Sequence, residues 1–318
     1  MKKTPIVISI LIAILLGSLL SACGGSPTEP QSLRIAVLPI LDALPMHVAL
    51  ERGYFAEHNL EVELVTVNSG PERDQLMQAG QVDGMINEIV SVLFYNQQEI
   101  DVVAVRFARA ATADSAVFSI VAAPGSGIES VADLAGVEIG ISEATVIDYM
   151  TDRVLQKAGL SPDEIKTVAI PRIPDRLALL QSGELAAATL PDPATSMALL
   201  QGATLIIDDS TLPEVGTSVI TFSVEAVENK PEAIRGFLTA IEQAVADINA
   251  EPTGFNQMLA EKGLVPPPLL EGYSLPPYVT ASVPSEALWQ DAIAWASEKG
   301  LISTEPSYAE SVDDSFLP

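Results

Sequence analysis

From residue 33 onward, short apolar runs of strand length alternate with segments of helical period, and this alternation constrains the fold more than any other feature of the chain. A nearly all-apolar strand must be covered on both faces, and the intervening amphipathic helices supply that cover. The run LRIAVLP (33–39) reads as a buried strand closed by Pro39. In the following PMHVALERGYFAEHN, Val48, Leu50 and Phe55 fall at near-helical spacing and Gly53 lies close to the C-terminal turn. LEVELVTV (60–67) alternates with period two and reads as the next strand. A helix over 72–79 ends at Gly80, VDGMIN supplies a third strand and IDVVAVRF a fourth. The pattern is that of βαβ units around a mainly parallel sheet.

A second series opens after Pro124, Gly125 and Gly127. SVADLAGVEIGIS predicts a short helix, a glycine turn and a strand; a helix over 145–158 ends at Gly159; KTVAI is the next strand. A helix near 175–181, the strand LAAATLP, a helix over 193–200 and the strand ATLIID complete a second α/β series. The β-branched run TSVITFSV (217–224) carries the chain back to the first. Strands near 118–122 and 217–222 are expected to run between the two halves as a hinge. The next helix has Pro231 in its first turn and one stripe of Ile234, Phe237, Leu238, Ile241, Val245 and Ile248, which is the pattern of core packing. VPPPLL and SLPPY interrupt the C-terminal part before a helix at about 285–299. The expected fold class is therefore α/β, two doubly wound lobes joined by a two-strand hinge: lobe I from 33–121 plus 218–318, lobe II from 122–217. The residues themselves show no internal repeat.

A length of 318 residues suits about two domains. With 48% apolar and 18% charged residues the chain is globular. Sixteen basic against 42 acidic residues leave a formal charge of −26, which excludes a phosphate backbone as partner; the acidity itself reads as solubility. At the N-terminus Lys2 and Lys3 precede the apolar PIVISILIAILLGSLL and then Leu20-Ser21-Ala22-Cys23. That is a charged region, an apolar region and a small-residue cleavage site. The only cysteine of the chain stands at the cut, so it has no disulfide partner within the chain. Residues 1–22 are expected to be a signal peptide of the bacterial lipoprotein type, Cys23 the lipidated residue, and 23–32 a Gly/Ser/Pro tether. An uncleaved anchor helix is the alternative, and either arrangement puts the rest of the chain outside the cytoplasm at a membrane surface.

Enzyme signatures are missing: there is no GxGxxG, P-loop, CxxC, HExxH or GxSxG. His47 and His58 are the only histidines, too few for a usual zinc site, so no metal or cofactor is expected. His47 stays a minor cleft candidate. Polar residues gather where strands end, which is where open α/β sheets bind ligands. These are Asp42 in PILDALP, Asn87, Glu88 and Ser91 in INEIVS, Arg106, Arg109 and Asp114 in RFARAATADS, Ser142 and Thr145 in GISEAT, and Asp192 in TLPDPAT. Helix capping accounts for Ser142 and Thr145 as readily as ligand contact does, and for Asp192, which Pro193 follows, capping is the favoured reading. Arg109, ending a buried strand, requires a carboxylate such as Asp114 or a ligand.

PMHVALERGYFAEHNLEVELV, then AGQVDGMI (79–86), then GSGIESVADLAGVEIGIS (125–142) resemble the substrate-binding proteins of ABC importers. Within these the chain is similar to the group of nitrate, sulfonate and taurine binders and NMT1/THI5-like thiamine-precursor binders, over 33 to about 250. The resemblance implies a periplasmic-binding-protein-like fold that closes on a small solute and delivers it to a permease and its ATPase, without enzymatic activity, usually as a monomer. By position it implies ligand contacts from Asp42, Ala43, Leu44, Asn87, Glu88, Arg109, Ser142 and Thr145, with Asp192 beside them. Three carboxylates near the cleft favour a solute bringing N–H donors, such as a pyrimidine thiamine precursor or a flavin. A sulfonate, taurine or nitrate is the alternative, with Arg106 and Arg109 in its favour. A sensory lipoprotein, or an enzyme on the same scaffold, are the rival functions.

Overall fold

The computed structural model describes residues 29–318 apart from Asp114, so the expected signal peptide 1–22, Cys23 and the expected tether up to residue 28 lie outside the described residues. The first sheet is ordered β2-β1-β3-β10-β4. Its strands are β1 (Gln31–Val37), β2 (Leu60–Thr66), β3 (Gly84–Asn87), β4 (Val102–Arg109) and β10 (Ser218–Ser223). The second is ordered β7-β6-β8-β5-β9, from β5 (Phe118–Ala122), β6 (Glu138–Ile141), β7 (Lys166–Ala169), β8 (Ala187–Pro191) and β9 (Thr204–Asp208). The two orders correspond strand for strand, and each sheet is parallel except where one late or early strand runs antiparallel: β10 in the first, β5 in the second. β1 begins at Gln31, paired with Leu60, so the expected tether is shortened by two residues.

The hinge differs from expectation. The runs near 118–122 and 217–222 do not cross between halves, because β5 lies hydrogen-bonded between β8 and β9, and β10 between β3 and β4. Every residue of β5 is buried, and a strand apolar on both faces is stabilised inside a sheet, not in an exposed linker. The connections from β4 to β5 and from β9 to β10 cross instead, at 110–117 and 209–217, the second opening with a 3-10 turn at Asp209–Thr211, and the boundary expected after residue 121 falls inside β5. PMHVALERGYFAEHN likewise forms two helices, α1 (Leu44–Glu51) and α2 (Tyr54–Glu57), parted at Gly53, whose φ of +78° is the left-handed conformation that favours glycine. Leu50 is consequently 45% exposed and leaves the stripe.

The remaining helices are α3 (Gly70–Gln78), α4 (Ile89–Tyr95), α5 (Val146–Lys157), α6 (Ile173–Ser182), α7 (Ala194–Leu200), α8 (Val224–Asn229), α9 (Pro231–Ala250), α10 (Asn256–Glu261), α11 (Glu286–Glu298) and α12 (Tyr308–Ser311). All six expected stripe residues of α9 are buried against the first sheet, where Phe237 stacks on Phe55 at 5.2 Å. Each such side chain contributes about 1.5–3 kcal/mol. One apolar cluster spans both sheets, from Met85, Val90 and Val102 to Ile139, Met150 and Val154, joined by Trp289 and Trp295 of α11. Among the described residues no helix is long and apolar enough to cross a membrane.

Candidate ligand-binding site

The C-terminal ends of the parallel strands in the two sheets face a common cavity of about 90 Å³. That is room for several waters or one compact head group. Of the residues expected at the site, Asp42, Asn87 and Glu88 line it from the first sheet, and Ser142 and Thr145 from the second. Thr145 is the N-cap of α5, accepting from Ile147 N–H at 3.2 Å, so the capping and site readings of that residue coexist. Ala43 and Leu44 are fully buried in the apolar core of the first half, and the cavity wall does not include them.

Two more expected residues stand behind the wall. Arg109, 3% exposed, approaches Asp42 Oδ1 at 3.7 Å, and although burial opposes its charge, Asp42 holds the guanidinium protonated. Its anticipated partner Asp114 is outside the described residues. Asp192 Oδ2 accepts from Tyr273 Oη–H at 2.5 Å and its other oxygen from Ser196; it makes no cap to α7. Arg106 is fully buried but spent, with Nε 2.5 Å from Glu242 Oε1 and Nη2 2.8 Å from the Val279 carbonyl. His47 is absent from the cavity wall; burial, with Lys262 nearby, pushes its imidazole down to about 4 and keeps it neutral.

The strongest electrostatic feature of the site is a pair of arginines that the loop-by-loop reading passes over. Arg73, in the first turn of α3, and Arg176, in the first turn of α6, both line the cavity. They are topological counterparts, since α3 joins β2 to β3 and α6 joins β7 to β8 in the corresponding sheet. Arg73 is 5% exposed and lies 2.8 Å from Asp74 and 3.4 Å from Glu88 Oε1. Burial disfavours its charge, but Asp74 and Glu88 outweigh that and raise its pKa. Burial raises Glu88 as well, opposed by Arg73 and by the Ser91 N–H that it accepts at 2.9 Å.

Arg176 lacks such a partner. It is 0% exposed, donates from Nη1 to the Ile170 carbonyl at 2.9 Å, and among the described residues leaves Nε and Nη2 without a hydrogen bond. Burial alone pushes its pKa down to about 10, still charged at neutral pH. The acid that follows β8, as Glu88 follows β3, is Asp192, and Tyr273 and Ser196 engage it instead. Ser218 adds to the same wall a buried hydroxyl without a partner among the described residues. A weak signal for both arginines was present in the sequence: each precedes a buried apolar residue by four, Met77 for Arg73 and Leu180 for Arg176, so each sits on the inward face of its helix.

Against one side of this cavity lies a second, of about 260 Å³, sharing Leu38, Ile40 and Ile173 with it and walled further by Leu177, Leu264 and Pro266. The combined site thus has a compact polar end, where Glu88 pairs with Arg73 but no acid pairs with Arg176 among the described residues, and a roomier apolar end. Among the described residues no cluster of metal-ligating side chains is found.

The family described as NMT1/THI5 like matches residues 41–254. A protein of Escherichia coli strain K12 named for binding aliphatic sulfonates is 25% identical over 281 residues, 83% of this chain and 82% of its own. The formylaminopyrimidine-binding protein of Halalkalibacterium halodurans is 26% identical over 159 residues, 48% of this chain and 46% of its own. Among solved structures, the alkanesulfonate-binding protein SsuA from Xanthomonas axonopodis pv. citri, bound to MOPS, superposes with a TM-score of 0.75 at 19% identity, over 90% of this chain and 99% of its own.

Proposed function

The chain belongs to the NMT1/THI5-like family, and we propose that it is the extracytoplasmic solute-binding component of an ABC importer, taking a small organic anion between its two halves for delivery to a permease. The observation that carries the solute class is Arg176: a guanidinium fully buried on the cavity wall, with two nitrogens unpartnered among the described residues. A buried charge without a counter-ion costs several kcal/mol, and a ligand anion supplies what the protein withholds. The hydroxyls of Ser142 and Ser218 and the first turn of α5 complete a donor set for a tetrahedral or planar oxyanion. The apolar cavity beside it takes an uncharged tail.

The heterocycle alternative needs free carboxylate acceptors, and the geometry argues against it. Asp42 faces Arg109, Glu88 faces Arg73 and the Ser91 amide, and Asp192 is held by Tyr273. Native mass spectrometry and calorimetry of a protein starting at Gly24 test the assignment with 1-hexanesulfonate, taurine, nitrate, an aminopyrimidine and a flavin. One-to-one binding of hexanesulfonate is expected, with taurine weaker because its ammonium would enter the apolar cavity. Aminopyrimidine binding together with indifference to every sulfonate would overturn it.

The lobes are proposed to divide at 110–117 and 209–217, and the protein to act as a monomer tethered through Cys23. Cys23→Ser is expected to move the protein from the membrane to the soluble fraction; retention at the membrane would favour an uncleaved anchor.

A further inference from the structure

The helix α11 lies far along the chain from the cavity, outside the segment that matches the family, yet it packs on α4 and α5, the two helices whose N-terminal ends meet the cavity from opposite sheets. The residue capping its C-terminus, Lys299, places Nζ 2.7 Å from Asp148 Oδ1 and 2.6 Å from Asp152 Oδ2 on α5. Asp148 and Asp152 are each 4% exposed and one turn apart. The other oxygen of Asp148 accepts the Ala144 N–H at 3.0 Å. Ala144 has φ +55°, a left-handed conformation that a residue with a Cβ adopts only when held there. Its neighbours in the same loop are Ser142 and Thr145, whose hydroxyl donates to the Ser142 carbonyl at 2.7 Å.

We infer that Lys299 is a positioning residue for the solute site: by neutralising Asp148 it keeps that carboxylate on the Ala144 amide and so holds the 142–145 loop and the first turn of α5 against the cavity. The inference rests on the anion-binding reading for its effect on affinity, but its effect on the loop is independent of any solute. Without the ammonium, two buried carboxylates would face each other across one helical turn, and rotation of Asp148 toward solvent would release Ala144. Trp295 shares only part of this arrangement, donating from Nε1 to Asp152 at 2.7 Å and not to Asp148.

The test compares Lys299→Met, Lys299→Arg and Trp295→Phe with wild type in the protein starting at Gly24. Amide hydrogen exchange is followed without solute, and 1-hexanesulfonate affinity is measured by calorimetry. In Lys299→Met, exchange at residues 144–147 is expected to rise about tenfold and affinity to fall about tenfold, the equivalent of one net hydrogen bond, with Lys299→Arg restoring both. Trp295→Phe is expected to lower the melting temperature while leaving both readouts within about twofold of wild type. Unchanged exchange at 144–147 in Lys299→Met would overturn the inference, as would Trp295→Phe reproducing every effect of Lys299→Met. If wild type does not bind hexanesulfonate, the head-group reading falls and the exchange comparison alone decides the role of Lys299. Should Lys299→Met not fold, Lys299→Gln, which retains one hydrogen bond, is read in its place.

Discussion

Replacing Arg176 with methionine is expected to stabilise the solute-free protein while removing solute binding. The side chain is fully buried and has no counter-ion within ion-pair distance among the described residues. Exchanging a buried charge for an apolar side chain of similar length commonly gains about 1–4 kcal/mol. Loss of the Nη1 bond to the Ile170 carbonyl subtracts about 1 kcal/mol from that gain. For binding, removal of one member of a buried charge pair costs about 3–5 kcal/mol, so the affinity for hexanesulfonate should fall by about two to four powers of ten. A lysine at this position keeps the charge but not the fork, so Arg176→Lys should lie between the methionine variant and wild type. Thermal melting without solute and calorimetry with it read the two halves of the expectation. A lower melting temperature with unchanged affinity would make Arg176 a structural residue.

The second large effect is expected where the two crossings meet, at Asp209. This residue follows β9, is 0% exposed, and accepts the Val117 and Phe118 amides at 2.9 and 3.1 Å, so it ties the end of one crossing to the beginning of the other. Gly216 of the second crossing packs on the same carboxylate, where an added Cβ would stand 1.8 Å from Oδ2. Asp209→Ala strands two buried N–H groups and should cost about 2–6 kcal/mol. Gly216→Ala, which must expel the carboxylate, should cost a similar amount, and a loss below about 0.5 kcal/mol would refute the tight packing.

The same group makes stability depend on pH. Burial pushes the Asp209 carboxyl up to about 7 from its ordinary 3.8, against the two amide bonds and Arg109. The folded protein therefore holds a proton that the unfolded chain releases between about pH 4 and 7, and stability falls as pH rises through that window and levels above it. The contribution sums to about 4 kcal/mol. Denaturant titrations at several pH values should show a steeper fall in wild type than in Asp209→Asn, which keeps the raised Glu88 carboxyl; parallel curves would rule out a raised Asp209 carboxyl.

Most of the architecture could be read from periodicity, because burial on two faces or one is written directly into the order of apolar residues. β1, β2 and α9 are examples: their patterns run over enough residues that local and tertiary preferences agree. The site was half legible. Asp42, Asn87, Glu88, Ser142 and Thr145 sit at strand ends, and the topology of open α/β sheets brings strand ends together whatever the loop sequence. Ala43 and Leu44 turned into the core because the chain enters α1 there and an apolar side chain gains more under the sheet than at a wet cavity.

What the sequence by itself determined is the class of the molecule: alternating strands and helices in two series, an acidic globular chain without catalytic motifs, and a loop set that resembles solute binders. Only the tertiary structure decided the chemistry of the cavity. Whether a charge is neutralised depends on which acid reaches it through space. Glu88 reaches Arg73 across 15 positions of sequence, whereas Tyr273 draws on Asp192 from 81 positions away while Arg176 has no acid within ion-pair distance among the described residues. Coulomb and desolvation energies depend on distance and burial, not on order along the chain, so the same residue types in the same sheet positions yield one spent arginine and one free.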